Sequence, residues 1–240
     1  MKQFAWLGIV RHGQSTGNVA ADRAEGSDAE VIDIPERDAD VPLSPTGRHQ
    51  AEAVGAFLRK LDQPPDIVVA SPYLRARQTA ELALEGLPVP LVVDERLRDR
   101  ELGVLDLLTN AGVQARLPEE ARRRARLGKF YYRPPGGESW ADVLLRLRSL
   151  MRDLHDDHPG GRVLLFAHEA TVLLVRALAE GLGEPELMAI ARGTAIANCS
   201  ISAWRNEGDA LVLELFNDVE HLDRHGAPAT EQEDVHAEPA

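Results

Sequence analysis

The sequence is short of cysteine, of positive charge and of long apolar runs, and each shortage excludes something. Its single cysteine, Cys199, cannot close an intrachain disulfide and suits a reducing compartment. Lysine and arginine number 27 against 39 aspartates and glutamates, and the formal charge of −12 argues against nucleic acid as the main partner. No apolar run approaches the roughly 20 residues that span a bilayer, so no membrane partner is expected. The N-terminus lacks the basic segment, apolar core and cleavage site of a secretory signal, and a cytoplasmic location is expected. What remains is ordinary for a globular chain: 240 residues, 44 % hydrophobic and 28 % charged, enough for a sizeable core in one α/β domain. An anionic ligand would then need cations concentrated locally.

That concentration begins near the N-terminus. The apolar run from Phe4 to Val10 reads as a buried strand stopping at Arg11-His12-Gly13, followed by small polar residues suited to open a helix. A fixed cation and an imidazole thus stand at the carboxyl end of a strand, where unpaired amides and the helix dipole favour anions. On physics alone this is a phosphate site centred on a histidine. Asp66 to Ala70 is a second buried strand, and Ser71-Pro72 opens a helix carrying Arg75 and Arg77. Two residues apart on a helix, these arginines point to nearly opposite sides, so only one can face a pocket. Arg162 to Ala167 is a further buried strand, ending in His168. Three strand ends therefore direct His12, Arg75 and His168 toward one crevice.

The intervening segments are read more simply. Ala20 to Val41 is a polar, acidic loop over or beside the first strand end. Ser44-Pro45 caps a helix with an apolar face of Ala51, Val54, Phe57, Leu58 and Leu61, ended by Pro64-Pro65. Leu91 to Val93 is a short strand leading into Glu95 to Gly103, whose carboxylates, interleaved with arginines, are held ionised, serve as acids, or only make salt bridges. Thr109 to Tyr132 reads as an inserted helical lid, its basic run including Lys129 either reading a second anionic group or forming a solvated helix face. Glu138 opens a helix to about His155. The His155-Asp156-Asp157-His158 run has no accompanying ligand cluster and is not read as a metal site. The last strands, Asn198 to Trp204 and Ala210 to Phe216, form a hairpin with Cys199 buried in a strand, and its exposed edge would support a homodimer. His49, His221, His225 and His236 are expected at the surface. The resulting layout is one domain over residues 1–222, with a helical insertion at about 104–135 and a disordered acidic tail at 223–240.

With these pieces placed, the sequence resembles the histidine phosphatase superfamily, also called phosphoglycerate mutase-like, over roughly Phe4 to Asn217. Arg11-His12-Gly13 with Ser15 and Asn18 is similar to the family signature. Arg75-Ala76 followed by Gln78-Thr79-Ala80, then Gly137-Glu138-Ser139, then the strand-borne His168, recur in family order. The resemblance implies a three-layer α/β/α sandwich with a mostly parallel sheet and an antiparallel edge. It implies a phosphomonoester hydrolase acting on a small phosphorylated metabolite. His12 would form a phosphohistidine, Arg11, Asn18, Arg75 and His168 would hold the phosphoryl oxygens, and a carboxyl would protonate the leaving oxygen. No metal or organic cofactor is implied.

Two departures follow. The acid, usually glutamate, falls by register on Asp99, with Glu101 the alternative because alternate residues of an extended loop face one side. Glu169 replaces a frequent glycine and would either tune His168 or complement the helix dipole. Ser15, Arg100, Glu101, Lys129 and Glu138 are further candidate substrate or lid contacts. Mutases of the family usually continue after the acid with Arg-His-Tyr-Gly, whereas Arg100-Glu101-Leu102-Gly103 stands here, which ranks a mutase below a phosphatase. A non-catalytic phospholigand-binding protein is the remaining rival.

Overall fold

The computed structural model describes residues 4–208 and 210–231. Six strands form one sheet in the order β3-β2-β4-β1-β5-β6: β1 Trp6–Arg11, β2 Ile67–Ala70, β3 Leu91–Val93, β4 Arg162–Ala167, β5 Ile201–Glu207 and β6 Ala210–Asp218. β1, β2, β3 and β4 run parallel, and β5 and β6 add an antiparallel edge. This is the three-layer sandwich expected. Along β1, Leu7 and Ile9 enter one core and Trp6 and Val10 the other, as the two-residue period of a strand requires.

Helices cover both faces. α6 (Trp140–Asp157), α7 (Glu169–Glu180) and α8 (Glu184–Gly193) cover the first, and α2 (Pro45–Leu58), α3 (Leu74–Ala83) and α9 (Glu220–His225) the second. α6 is amphipathic in detail: Trp140, Val143, Leu144, Leu147, Leu150 and Leu154 are buried at helical spacing, while Leu145 between them is exposed. Ser139 closes a capping box with Asp142, so the helix starts after Glu138 rather than at it. Ser44 and Pro45 start α2 as their residue types dictate, but α2 ends at Leu58, well before the prolines. α1 (Thr16–Glu25) occupies the beginning of what reads as an acidic loop, because Ser15 and Asn18 form a second capping box.

The helical insertion is present as α4 (Asn110–Arg116) and α5 (Pro118–Tyr131), kinked where Gly128 takes φ +75°. It is anchored to the loop after α1. Thr109 donates to the carbonyls of Glu30 and Ala29, and a Cβ on Gly112 would lie 1.9 Å from the Glu30 carbonyl oxygen, so only glycine permits this approach.

Three expectations need correction. The chain after Leu222 is not a tail throughout: α9 continues to His225, and residues 226–231 dock against α2. Gln50, with no exposed surface, donates to the Pro228 carbonyl at 2.8 Å and to Thr230 Oγ1 at 2.9 Å, which no local pattern announces. The expected disorder of residues 232–240 lies outside the described residues. His221 is buried against Phe57 instead of at the surface, because α9 packs on α2. Cys199 is buried but stands in a turn with φ +56°, before β5 begins. His49 and His225 are exposed as expected.

The docked segment continues into the active-site loop. Thr230 Oγ1 donates to Asn198 Oδ1, and Asn198 Nδ2 donates to the His12 carbonyl. Ending the chain after Gly226 strands buried Gln50 and loosens Asn198. The expected loss of about 2–4 kcal/mol is read from the urea midpoint, and a midpoint equal to that of the full chain would contradict it.

Candidate active site

His12 follows β1 directly and is 3 % exposed, its amide donating to the Ala167 carbonyl of β4. Its Nδ1 lies 2.8 Å from the Gly13 carbonyl oxygen. A carbonyl only accepts, so Nδ1 carries the proton and Nε2 keeps the lone pair. Burial first, then the neighbouring Arg75, His168 and Arg11, hold the imidazole pKa well below its ordinary value, outweighing the Gly13 bond. His12 is therefore held neutral, with a bare ring nitrogen. The loop carrying it is pressed against the start of α2, where a Cβ on Gly47 would lie 2.0 Å from the Gln14 carbonyl oxygen.

The cations converge on the same place. Arg11 is buried, donates to the Ile196 carbonyl and has Nη2 3.9 Å from Glu169 Oε2. Arg75 is buried, while Arg77 lies outside, exposed and paired with Glu81. The helical separation of the two is resolved in favour of Arg75. Its Nη1 donates to Asp38 Oδ1 at 2.9 Å and to the Asp38 carbonyl at 2.7 Å, and its Nη2 donates to Asp99 Oδ2 at 2.8 Å. His168 ends β4 and is fully buried, its ring 5.2 Å from that of His12.

Asp99 sits among these groups. Its Oδ2 is 3.1 Å from His168 Nδ1, off the best hydrogen-bonding direction, and Ser71 Oγ lies 2.8 Å from His168 Nε2. An ionised carboxylate only accepts, so Nδ1 bears the proton and Ser71 donates to Nε2. Burial pushes the Asp99 carboxyl up, but His168, Arg75 and His12 more than reverse this and hold it well below the carboxylate range. Burial likewise lowers His168, against the pull of Asp99. Asp99 thus takes the contacts to Arg75 and His168 that a phosphoryl oxygen would take.

Histidines held neutral by burial link stability to pH. Burial lowers His12, His168 and His221 alike, whereas an unfolded chain titrates them near about 6.5. The unfolded state then binds more protons as pH falls below that value. Stability is fully present above it and declines below it, with Asp99 adding a loss in the same direction at more acid pH. A urea midpoint lower at pH 5.5 than at pH 7.5 is expected, and equal midpoints would refute the linkage.

The other sequence-derived candidates separate. Asn18 and Ser15 line the cavity, but Asn18 Oδ1 and Ser15 Oγ serve the cap of α1, so the Asn18 amide nitrogen is the donor an anion would use. Arg100 is buried on the cavity wall, donating to the Glu138 carbonyl at 2.7 Å. Glu138 does not reach the cavity. It accepts from Arg98, Arg146 and the Glu101 amide, and so braces the loop that carries Asp99. Glu101 is exposed and off the cavity wall. Lys129 is also absent from that wall and lies 4.6 Å over the Trp140 ring. The expected insertion at about 104–135 reaches the cavity only through Asp106, Leu107 and Leu108, and α4 and α5 themselves do not line it; the loop before α2 supplies Ile32, Ile34, Asp38 and Val41. Asp38 and Ser71 went unnoticed in the sequence. Serine directly after a buried strand was the available signal for Ser71, and Asp38 had none.

His12, Asp99 and His168 place donor atoms within 4.8 Å of one another, as do exposed His49, Glu52 and His225. Arg11 and Arg75 put two fixed positive charges beside the first set, which favours an anion there over a cation.

A neutral buried histidine facing two arginines and a second histidine stands at the carboxyl ends of a parallel sheet, an arrangement suited to an anion. The chain belongs to the histidine phosphatase superfamily (branch 1), whose profile matches residues 7–219. An uncharacterised phosphatase of Bacillus subtilis is 27 % identical, covering 89 % of this chain and 95 % of its own. A probable phosphoglycerate mutase of an Enterobacter species is 30 % identical, covering 93 % and 96 %. A mycobacterial glucosyl-3-phosphoglycerate phosphatase, solved with vanadate, matches at TM-score 0.72 and 28 % identity over 90 % of this chain and all of that one. Among the described residues, no helix is long and apolar enough to cross a membrane.

Proposed function

We propose that the protein hydrolyses phosphomonoesters through a phosphohistidine. The observation that carries this reading is the His12 tautomer: Nδ1 is committed to the Gly13 carbonyl, and the bare Nε2 belongs to a ring surrounded by Arg11, Arg75 and His168. The substrate phosphoryl group would displace Asp99 from Arg75 and His168, with Arg11 and Asn18 completing the cradle. Nε2 attacks phosphorus as the ester P–O bond breaks, and charge spreads over oxygens already facing fixed donors. A dianion beside Asp99 raises its pKa, so the carboxyl gains a proton on binding and gives it to the leaving alkoxide. The resulting carboxylate then takes a proton from water, which attacks the phosphohistidine and releases phosphate.

Relatives named as mutases make phosphotransfer the second reading. A mutase must hold a substrate bearing a carboxylate and retain a bisphosphate. Beyond Arg11 and Arg75, the described cavity wall offers Arg100 as its cation against Asp38, Asp106 and Glu169. That balance favours loss of the product over its retention. Incubation with 3-phosphoglycerate and with p-nitrophenyl phosphate decides the matter. Free phosphate without 2-phosphoglycerate, unaffected by chelator, is the expected result. Formation of 2-phosphoglycerate would replace hydrolase by mutase, and loss of activity on chelation would refute the metal-independent route.

A further inference from the structure

The cavity that holds His12, Arg11 and Arg75 also carries apolar surface, available to the alcohol part of a substrate. It holds about 200 Å³, and Ile32, Ile34, Val41, Leu102, Leu107 and Leu108 are its large apolar lining residues. Two loops far apart in sequence are clasped to make this wall. The Ile32 amide donates to the Leu107 carbonyl at 2.9 Å, Val31 and Leu108 form a bridge, and Thr109 ties down Ala29 and Glu30. Leu107 is held at φ +59°, a conformation that leucine rarely adopts, with its amide bonded to Asp106 Oδ1. A leucine kept there against its backbone preference is an outlier that calls for a function. Its place on the cavity wall supplies one.

The charges agree. Once a phosphoryl dianion has taken Arg11 and Arg75, the wall cation is Arg100, whose guanidinium already donates to the Glu138 carbonyl at 2.7 Å. Asp38, Asp106 and Glu169 share the rim, so a second anionic group would meet net negative charge and apolar surface.

From the wall and its charge balance, and resting on the phosphatase reading above, we infer that the enzyme selects monophosphate esters of apolar, uncharged alcohols and discriminates against esters carrying a second anion. Leu107 and its partners on the other loop determine this specificity. The hydrolysis balances simply: water replaces the ester oxygen on phosphorus, and the alcohol leaves protonated.

Benzyl phosphate, glycerol 3-phosphate and 3-phosphoglycerate test this, because each releases an alkyl alcohol and leaving-group acidity differs little among them. The full chain is expected to show kcat/KM for benzyl phosphate at least about tenfold above that for the other two. Leu107→Asn suits the left-handed backbone and keeps the loop while removing the apolar contact. It is expected to cost benzyl phosphate about tenfold in kcat/KM, chiefly through KM, and glycerol 3-phosphate less than about twofold. Inhibition by inorganic phosphate, which needs only the cradle, stays unchanged. Leu107→Gly, equally suited to that backbone, is expected to behave the same and guards against an adventitious effect of the asparagine. Preference for 3-phosphoglycerate, or equal loss on all three esters in both variants, overturns the specificity assignment while leaving a phosphatase. Absence of phosphate release from every ester overturns the phosphatase reading itself, and this inference with it.

Discussion

Replacing His12 with alanine or glutamine is expected to lower phosphate release by a factor on the order of 10⁴ or more, the scale of losing a nucleophile that no neighbour replaces. The size of the effect follows from the geometry. His168 is the other imidazole in the cradle, but its Nε2 is engaged by Ser71 and its Nδ1 faces Asp99, so neither nitrogen is a free lone pair directed at phosphorus. Glutamine keeps most of the volume at a residue 3 % exposed, so the variant is expected to fold. Acid-labile, base-stable phosphate on the wild-type chain during turnover, missing from the variant, checks the covalent step. A variant that retains a tenth of the wild-type rate, or a wild type that never carries phosphate, would exclude His12 as the nucleophile.

Asp99→Asn is the second large effect, and it separates Asp99 from Glu101. Removing a general acid costs about 10²–10⁴ where the leaving oxygen needs a proton, as with alkyl phosphates. With p-nitrophenyl phosphate, whose leaving group departs as an anion, the first step should suffer far less. Glu101→Gln is expected to stay within about twofold on both substrates, because Glu101 is exposed and off the cavity wall. The pH profile supplies a second readout. Asp99 in the resting site is held ionised by His168, Arg75 and His12 against the upward push of burial, and becomes an acid only once a bound dianion raises its pKa. The fall in kcat toward alkaline pH should therefore belong to Asp99 and vanish in the asparagine variant. Equal losses on both substrates would make Asp99 a positioning group for Arg75 and His168 instead, and a large loss in Glu101→Gln would reassign the acid.

Both predictions rest on loops whose rigidity comes from elsewhere. Asp99 stands on a segment that Glu138 pins through Arg98, Arg146 and the Glu101 amide. His12 stands on one whose carbonyl is held by Asn198, itself held by Thr230 near the end of the described chain. Glu138 and Thr230 lie off the cavity wall, yet an ångström of play at either would be felt at the phosphorus.

What the sequence by itself determined is what local rules govern. The buried runs of β1, β2 and β4 and the Ser44-Pro45 start of α2 are decided by neighbours within four residues, so they are legible in a string of letters, whereas the capping boxes at Ser15 and Ser139 are equally local but were not read from it. The histidines at two strand ends followed from the buried runs before them, while the helix period showed only that one of Arg75 and Arg77 can face a pocket, and the register of the family motif selected Arg75. Only the tertiary structure decided the rest. Asp38 meets Arg75 across 37 residues, Ser71 meets His168 across 97, and Gln50 meets Thr230 across 180. Lys129 lies over Trp140 and Leu107 on the cavity wall through contacts with distant segments, the latter by the clasp between Ile32 and Leu107, and no local period announces either. Contacts between distant residues carry no mark in either segment alone, since each side chain is equally at home in water until the fold brings its partner to it.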